Sequence, residues 1–150
     1  MYHSLVRRKG RQIFAHLSAG DWRSDLPGVA EDVHHTFSGD HPLGGERHSR
    51  EAMELWFERL YRLFPEINFE VHRVAATGWP WRTTLAVEWS DAGRAADGEP
   101  YVNAGAHVIE LRWFKAAYIH GYLDTQTIAE SCRRMAAAGI DEAGAPPITG

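Results

Sequence analysis

The hydrophobic period changes along this 150-residue chain, and the main change falls at Pro65. Upstream of Pro65, apolar residues mostly recur three or four positions apart, which is typical of helices with one buried face. Downstream of it, apolar and polar residues alternate, which is typical of strands with one face against a core. The sequence therefore predicts a mainly helical first part followed by a sheet.

Hairpin-like spacing joins the later strands, so the sheet is predicted to be mainly antiparallel. Each helix has a single apolar stripe and must cover the same face of the sheet. We therefore expect an α+β fold in which helices pack on one face of a strongly curved sheet, forming a cone with a central pocket. The predicted elements are helix 2–19, short helix 21–30, strand 32–37, helix 50–64, strands 68–75, 82–89, 101–113 and 118–124, and a last helix ending before residue 139.

Composition indicates one globular domain over residues 1–142, followed by a loose tail at 143–150 that is rich in proline and small residues. The net charge of -4 argues against a nucleic-acid or anionic-membrane partner, since both need a concentrated basic surface. No apolar run reaches the roughly 20 residues that span a bilayer. Without a secretory signal, and with Cys132 as the single cysteine, we expect a cytoplasmic protein.

Several short strings occur in a fixed order along the chain: Ala19-Gly20-Asp21, Ala30-Glu31-Asp32-Val33, Gly39-Asp40-His41-Pro42-Leu43-Gly44-Gly45, Arg112-Trp113 and Tyr122-Leu123-Asp124-Thr125. Together with the order of elements, they resemble the SnoaL-like branch of the nuclear transport factor two-like superfamily, which contains polyketide cyclase and ketosteroid isomerase relatives. The resemblance covers residues 3 to 138. It implies cofactor-free acid–base chemistry on a small hydrophobic carbonyl or polyketide-like compound, although many relatives have no reaction.

The resemblance makes Asp124 the candidate general base. Strict alternation along the last strand puts Asp124 on one face with Tyr118, His120 and Tyr122, and we expect this face to line the pocket. The position of His120 depends on the register of the strand, since a β-bulge there would turn it to the outer face. Aromatic surroundings would raise the pKa of the carboxyl group, because burial disfavours its charged form. The alternative is that Asp124 caps the following helix, where an acid also suits the helix dipole.

Two histidines lie on apolar strand faces and should point inward. His35 lies between Val33 and Phe37, and His107 shares a face with Ile109. Each could donate a hydrogen bond to a substrate oxygen, as could Tyr118 or Tyr122, or each could be a core histidine bonded to a neighbouring carbonyl. Other large apolar residues are expected to form the pocket wall or plain core: Phe37, Trp56, Phe57, Leu60 and Trp89.

No metal is expected, although Asp40, His41, His34, His35 and His48 are near one another in sequence, because their spacing matches no known site. Three functions stay open: an isomerase or cyclase that uses Asp124, a dehydratase that relies on His35 or His107, and a ligand-binding or dimerisation module without a reaction. A homodimer is expected through the outer sheet face, to which we assign three apolar residues: Ile119, Leu123 and Val108.

Overall fold

The computed structural model describes all of residues 1–150 and confirms the α+β class. Three helices and a six-stranded, curved and unclosed sheet follow the predicted order, with one additional strand. The helices are α1 (Tyr2–Ser18), α2 (Arg50–Leu63) and α3 (Thr125–Ala137), and the strands are β1 (Val29–Phe37), β2 (Gly45–Arg47), β3 (Asn68–Trp79), β4 (Arg82–Arg94), β5 (Pro100–Arg112) and β6 (Lys115–Leu123).

The helices begin and end where local chemistry requires it. Ser49 begins α2, because its side chain accepts a hydrogen bond from the backbone amide of Ala52. Pro65 keeps Phe64 out of helical geometry, and α2 ends at Leu63. The buried stripe of α2 includes Met53, Trp56 and Leu60, which face the sheet. No helix of the chain has both the length and the apolar character needed to cross a membrane.

The six strands lie in the order β2-β1-β6-β5-β4-β3. All neighbouring pairs are antiparallel except β1 and β6, which are parallel. Helix α1 packs across β3 and β4, and α2 packs against β1. The helices therefore cover the concave face of the sheet, and the other face is left to β-strand side chains alone.

A β-bulge reverses the two faces of β6. The register pairs Leu111 with Ala116 but Glu110 with Tyr118, so Ala117 is left over between the pairs. Beyond Ala117 the residues that face the core are odd-numbered, among them Ile119 and Gly121. Strict alternation from Ala116 would have made them even-numbered.

Four further segments differ from the sequence prediction. The predicted short helix 21–30 is a 3₁₀ helix over Trp22–Gly28, and β1 begins at once after it. The predicted loop 38–48 contains β2, and residues 90–94 of the predicted loop 90–100 belong to β4. The last residues pack against β2 and do not form a separate tail, since the backbone amide of His48 donates to the carbonyl of Gly150 over 2.9 Å.

A two-residue hairpin turn with unusual backbone angles joins β5 to β6. Trp113 and Phe114 both have positive φ, at 50° and 71°, and Arg112 pairs with Lys115 across the turn. Such left-handed positions normally carry Gly, Asn or Asp. The turn is thus one residue earlier than predicted, and it presents two large aromatic side chains to solvent.

Candidate active site

A cavity of about 520 Å³ lies between the helices and the concave face of the sheet. This volume is within the range of small-molecule sites. Of the 35 residues that line the cavity, 27 are hydrophobic. Aromatic side chains form its wall and do not fill it. The five large apolar residues assigned to the pocket wall or core line the cavity: Phe37, Trp56, Phe57, Leu60 and Trp89.

His35 enters the cavity wall from β1 and is held by a buried arginine. The guanidinium of Arg47 on β2 donates to Nδ1 of His35, and it also donates to the carbonyls of Gly44 and Ile148. Because Nδ1 is an acceptor, the hydrogen of the neutral imidazole lies on Nε2. Burial, and then the positive charge of Arg47, hold the pKa of His35 well below its ordinary value. His35 is therefore a neutral hydrogen-bond donor.

His107 enters the cavity wall from β5 and is oriented in the same way. The indole Nε1–H of Trp89 donates to Nδ1 of His107 over 2.8 Å, so the imidazole hydrogen again lies on Nε2. Burial, with a smaller contribution from His120, lowers the pKa of His107 to about 4. The ring is surrounded by protein but keeps accessible surface, because it faces the cavity.

Gly121 on β6 makes room for His107. A Cβ atom at this position would lie 3.0 Å from His107 Nε2 and 2.7 Å from the Phe37 ring. Gly121 is directly opposite both residues, since it pairs with Phe37 on one side and with His107 on the other. The absence of a side chain at Gly121 therefore lets the imidazole and the phenyl ring pack over the middle of the sheet.

An acid that the sequence analysis did not single out also lines the cavity. Asp91 lies on the inner face of β4, is 4% exposed, and has one carboxyl oxygen, Oδ1, that is fully enclosed without a hydrogen-bond partner. Burial raises the pKa of Asp91 to about 7, and this effect is partly offset by backbone amides of Asn103 and of Asp91 itself. Near neutral pH this carboxyl group therefore exists in both protonation states.

Tyr101 and Asn103 on β5 lie beside Asp91. Asn103 is directly opposite Asp91 in the β4–β5 register. The side-chain amide of Asn103 donates to the hydroxyl oxygen of Tyr101 over 2.9 Å and to the backbone carbonyl of Asp124. Burial, and then the charge of Asp91, raise the pKa of Tyr101. Tyr101 is thus a protonated phenol in the cavity wall whose own hydrogen is free to donate.

The expectation that Asp124 lies in the pocket is wrong. Its side chain is exposed and accepts hydrogen bonds from the backbone amides of Gln126 and Thr127, which makes it the N-cap of α3. Hydrogen bonding from Thr127 lowers the pKa of Asp124, whereas we had expected burial to raise it. The alternative prediction, a helix cap, describes this residue.

The placement of Tyr118, His120 and Tyr122 in the pocket is also wrong. The bulge at Ala117 turns all three to the outer face of the sheet, where His120 stacks on Tyr122 with ring centroids 3.7 Å apart. The hydroxyl of Tyr118 is 3.0 Å from Nδ1 of His120. Conversely, Ile119 and Leu123, which we assigned to the outer face, line the cavity.

Comparisons with proteins of known structure agree with this architecture. An NTF2-like protein of unknown function from Burkholderia pseudomallei superposes with a TM-score of 0.72 at 17% identity, over 82% of this chain and 93% of that chain. A proposed SnoaL-like polyketide cyclase from Jannaschia gives 0.67 at 11% identity, over 86% and 92%.

A third solved structure is TerC co-crystallised with polyporic acid. It superposes with a TM-score of 0.62 at 15% identity, over 78% of this chain and 89% of that chain. Each of these structures is less than 25% identical in sequence, so the likeness concerns the fold. No curated protein matches the sequence significantly.

A family model covers most of the chain. The model for the SnoaL-like domain matches residues 11–119, which include β1 to β5 and the polar residues of the cavity wall. The match confirms the resemblance that the short sequence strings indicated. The chain belongs to the SnoaL-like domain family, within the NTF2-like fold.

Proposed function

We propose that the protein binds a small, largely apolar molecule in the cavity and catalyses cofactor-free proton transfer on it, with Asp91 as the acid–base group. The observation that carries the proposal is an enclosed carboxyl group in an apolar cavity, with Oδ1 of Asp91 unpartnered. A pKa of about 7 lets this group accept a proton and return it at neutral pH. Asp91 thereby takes the role that the sequence analysis gave to Asp124.

The chemistry that suits this site begins at a carbon next to a carbonyl group. Asp91 removes a proton from that carbon, and the electron pair of the C–H bond moves into the carbonyl to form an enolate. The phenol of Tyr101 donates a hydrogen bond to the enolate oxygen, because its own oxygen already accepts from Asn103. Return of the proton from Asp91 to another carbon completes an isomerisation. In an elimination, the enolate electron pair forms the new C=C bond, the group on the β-carbon leaves with its bonding electrons, and Asp91 returns its proton to that group.

His35 and His107 are assigned to binding a second polar group of the same molecule. In the β4–β5 register Asp91 is opposite Asn103, and His107 is four residues further along β5. Four strand residues correspond to about 13 Å. The neutral imidazole donor of His107, at this distance from Asp91, favours an elongated, polycyclic molecule with oxygen atoms near both ends.

The relatives support this class of molecule. One structural neighbour is described as a proposed SnoaL-like polyketide cyclase, and another was crystallised with polyporic acid. The cavity volume and its mainly hydrophobic lining are compatible with guests of that general kind.

Deuterium exchange on a model ketone tests the proton transfer. 2-Tetralone, a bicyclic ketone, is incubated with the protein in deuterated buffer, and NMR follows the loss of its α-protons. We expect exchange well above the buffer rate, reduced about 100-fold or more in Asp91→Asn. Asp124→Asn is the matched control, since it removes the same charge from an exposed carboxyl group and should exchange at the wild-type rate. An unchanged rate in Asp91→Asn would refute the role of Asp91.

Binding without a reaction is the second candidate, favoured by the neutral state of both cavity histidines and by their internal hydrogen bonds. It would be supported if 2-tetralone perturbs NMR signals of cavity residues while no exchange above the Asp91→Asn level occurs.

We further propose a homodimer through the outer sheet face. Tyr122, which is 46% exposed, and its neighbours on β5 and β6 would form the contact in place of Ile119 and Leu123. Sedimentation velocity of wild type and Tyr122→Arg tests it. A wild-type monomer at high concentration would refute the dimer.

A further inference from the structure

A cluster of metal-binding side chains lies on the outer face of β1 and β2, outside the cavity. It consists of His34 on β1, Glu46 on β2 and His48 just after β2. Each residue offers one ligand atom, and these atoms all lie within 4.8 Å of one another. Thr36 is opposite Glu46 in the register, so the cluster spans two hydrogen-bonded strands.

The side chains of the cluster already contact one another, and a hydrogen bond joins two of the ligand atoms. His34 Nε2 is 2.7 Å from Glu46 Oε2, and the His34 and His48 rings stack with centroids 4.4 Å apart. A tetrahedral ion with bonds of about 2.0–2.1 Å holds its ligand atoms about 3.4 Å apart. Small rotations of these partly exposed side chains are enough to reach that spacing.

We propose that His34, Glu46 and His48 bind one divalent transition-metal ion, of the Zn²⁺, Cu²⁺ or Ni²⁺ class. Two imidazole nitrogens and a carboxylate oxygen suit these ions, whereas Mg²⁺ and Ca²⁺ favour oxygen ligands alone. Three protein ligands leave one position for water, as in many zinc sites that are open to solvent.

Neighbouring residues fix the orientation of His34. The ring of Tyr118 packs edge-on against the His34 ring at 5.4 Å, and the Thr36 hydroxyl is 3.2 Å from His34 Nε2. Tyr118 thus covers one side of the site, and Thr36 is placed to bond to a metal-bound water. Metal binding would replace the present Thr36 contact to Nε2 with a bond from that nitrogen to the ion.

The site lies on the opposite side of the sheet from the cavity. His35 and Arg47, which alternate with the proposed ligands along β1 and β2, face inward and form the buried pair described above. A bound ion would link β1 to β2 on the outer face of the sheet, opposite the inward-facing pair of His35 and Arg47. The inference goes beyond the proposed function and does not depend on the proton transfer.

Titration calorimetry with ZnCl₂ tests the site on the full chain, without a polyhistidine tag and after removal of metal with EDTA. We expect one ion per chain for the wild type, and at least a 10-fold weaker affinity for His34→Ala and for His48→Ala. Zn²⁺ should also raise the thermal midpoint of the wild type and leave that of His34→Ala unchanged.

His72→Ala is the matched control, because His72 is an exposed strand histidine whose Nε2 bonds only to Ser90. It should bind Zn²⁺ as the wild type does. Glu46→Gln keeps the side-chain shape, removes the charge, and should weaken binding without unfolding the chain. The proposal is overturned if no stoichiometric ion binds, or if His34→Ala and His48→Ala bind it as tightly as the wild type.

Discussion

Trp89 donates its indole hydrogen to Nδ1 of His107 over 2.8 Å, and this bond places the hydrogen of the neutral imidazole on Nε2. Both residues lie on the inner sheet face, where the register places Trp89 opposite Gly105 and His107 opposite Val87. The diagonal contact between neighbouring strands therefore orients the ring without any charged partner.

Replacing Trp89 with Phe should remove the hydrogen bond that fixes the tautomer of His107. Without the indole donor the neutral form of the imidazole loses a hydrogen bond, so the pKa of His107 should rise from about 4 and both tautomers should be populated. Nitrogen-15 chemical shifts of His107 measure both effects. The loss of the bond and of ring volume should cost about 1–3 kcal/mol in urea unfolding. Trp81→Phe, at an exposed turn, should leave the His107 signals unchanged.

Asp91 should lower the free energy of unfolding as pH rises. Its ordinary pKa is 3.8 and its pKa in the folded chain is about 7, so between these values the unfolded chain gives up the proton first. Rising pH therefore favours unfolding through this group, by on the order of 4 kcal/mol in total.

Asp91→Asn removes this dependence, because the amide does not ionise. Its stability relative to the wild type should therefore increase from pH 5 to pH 8 in urea unfolding. Equal differences at the two pH values would contradict the pKa of about 7, and Asp124→Asn, at an exposed site, serves as the comparison at both.

Adding a methyl group at Gly121 should disturb the cavity. The new Cβ would be 2.7 Å from the Phe37 ring and 3.0 Å from His107 Nε2, so one of these rings must shift. We expect Gly121→Ala to lose about 1–3 kcal/mol of stability and to shift the His107 NMR signals. Gly28→Ala is the control, since a Cβ at Gly28 would contact nothing within 4 Å. A Gly121→Ala variant as stable as the control would refute the packing argument.

Because Asp124 caps α3 and does not line the cavity, its replacement should change stability and leave the proton-exchange activity unchanged. Asp124→Ala removes the acceptor for the Gln126 and Thr127 amides and should lower the thermal midpoint. Asp124→Asn should retain most of the cap. Both variants should exchange the α-protons of 2-tetralone at the wild-type rate, and a large loss of exchange in either would return Asp124 to the catalytic site.

Much of the architecture could be predicted because the patterns are long and regular. The stripe that includes Trp56 and Leu60 repeats at helical spacing over three turns, and only a helix buries it on one side. His35 and His107 also lie where alternation placed them, on the cavity side of the sheet. In β1 the alternation is regular around His35, since Val33, His35 and Phe37 are all buried while His34 and Thr36 are half-buried.

The remaining site residues could not be predicted for two physical reasons. One extra residue, Ala117, reverses the faces of β6, and a bulge leaves no clear mark in a sequence of alternating residues. Asp91 was hidden because Gly93, Gly98 and Pro100 are typical of a loop, whereas β4 continues to Arg94. The sequence did contain a signal for this site. Alternation continued beyond Trp89 makes Asp91 the next inward position, and an acid at an inward position is unusual enough to indicate a functional group.

The carboxyl-terminal residues have a consequence for the cavity that their distance in sequence conceals. Arg47 is fixed partly by the carbonyl of Ile148. No residue after Ile128 lines the cavity, yet this carbonyl helps to hold the guanidinium against Nδ1 of His35. A segment remote from the cavity therefore helps to determine which imidazole nitrogen of His35 carries the hydrogen at the cavity wall.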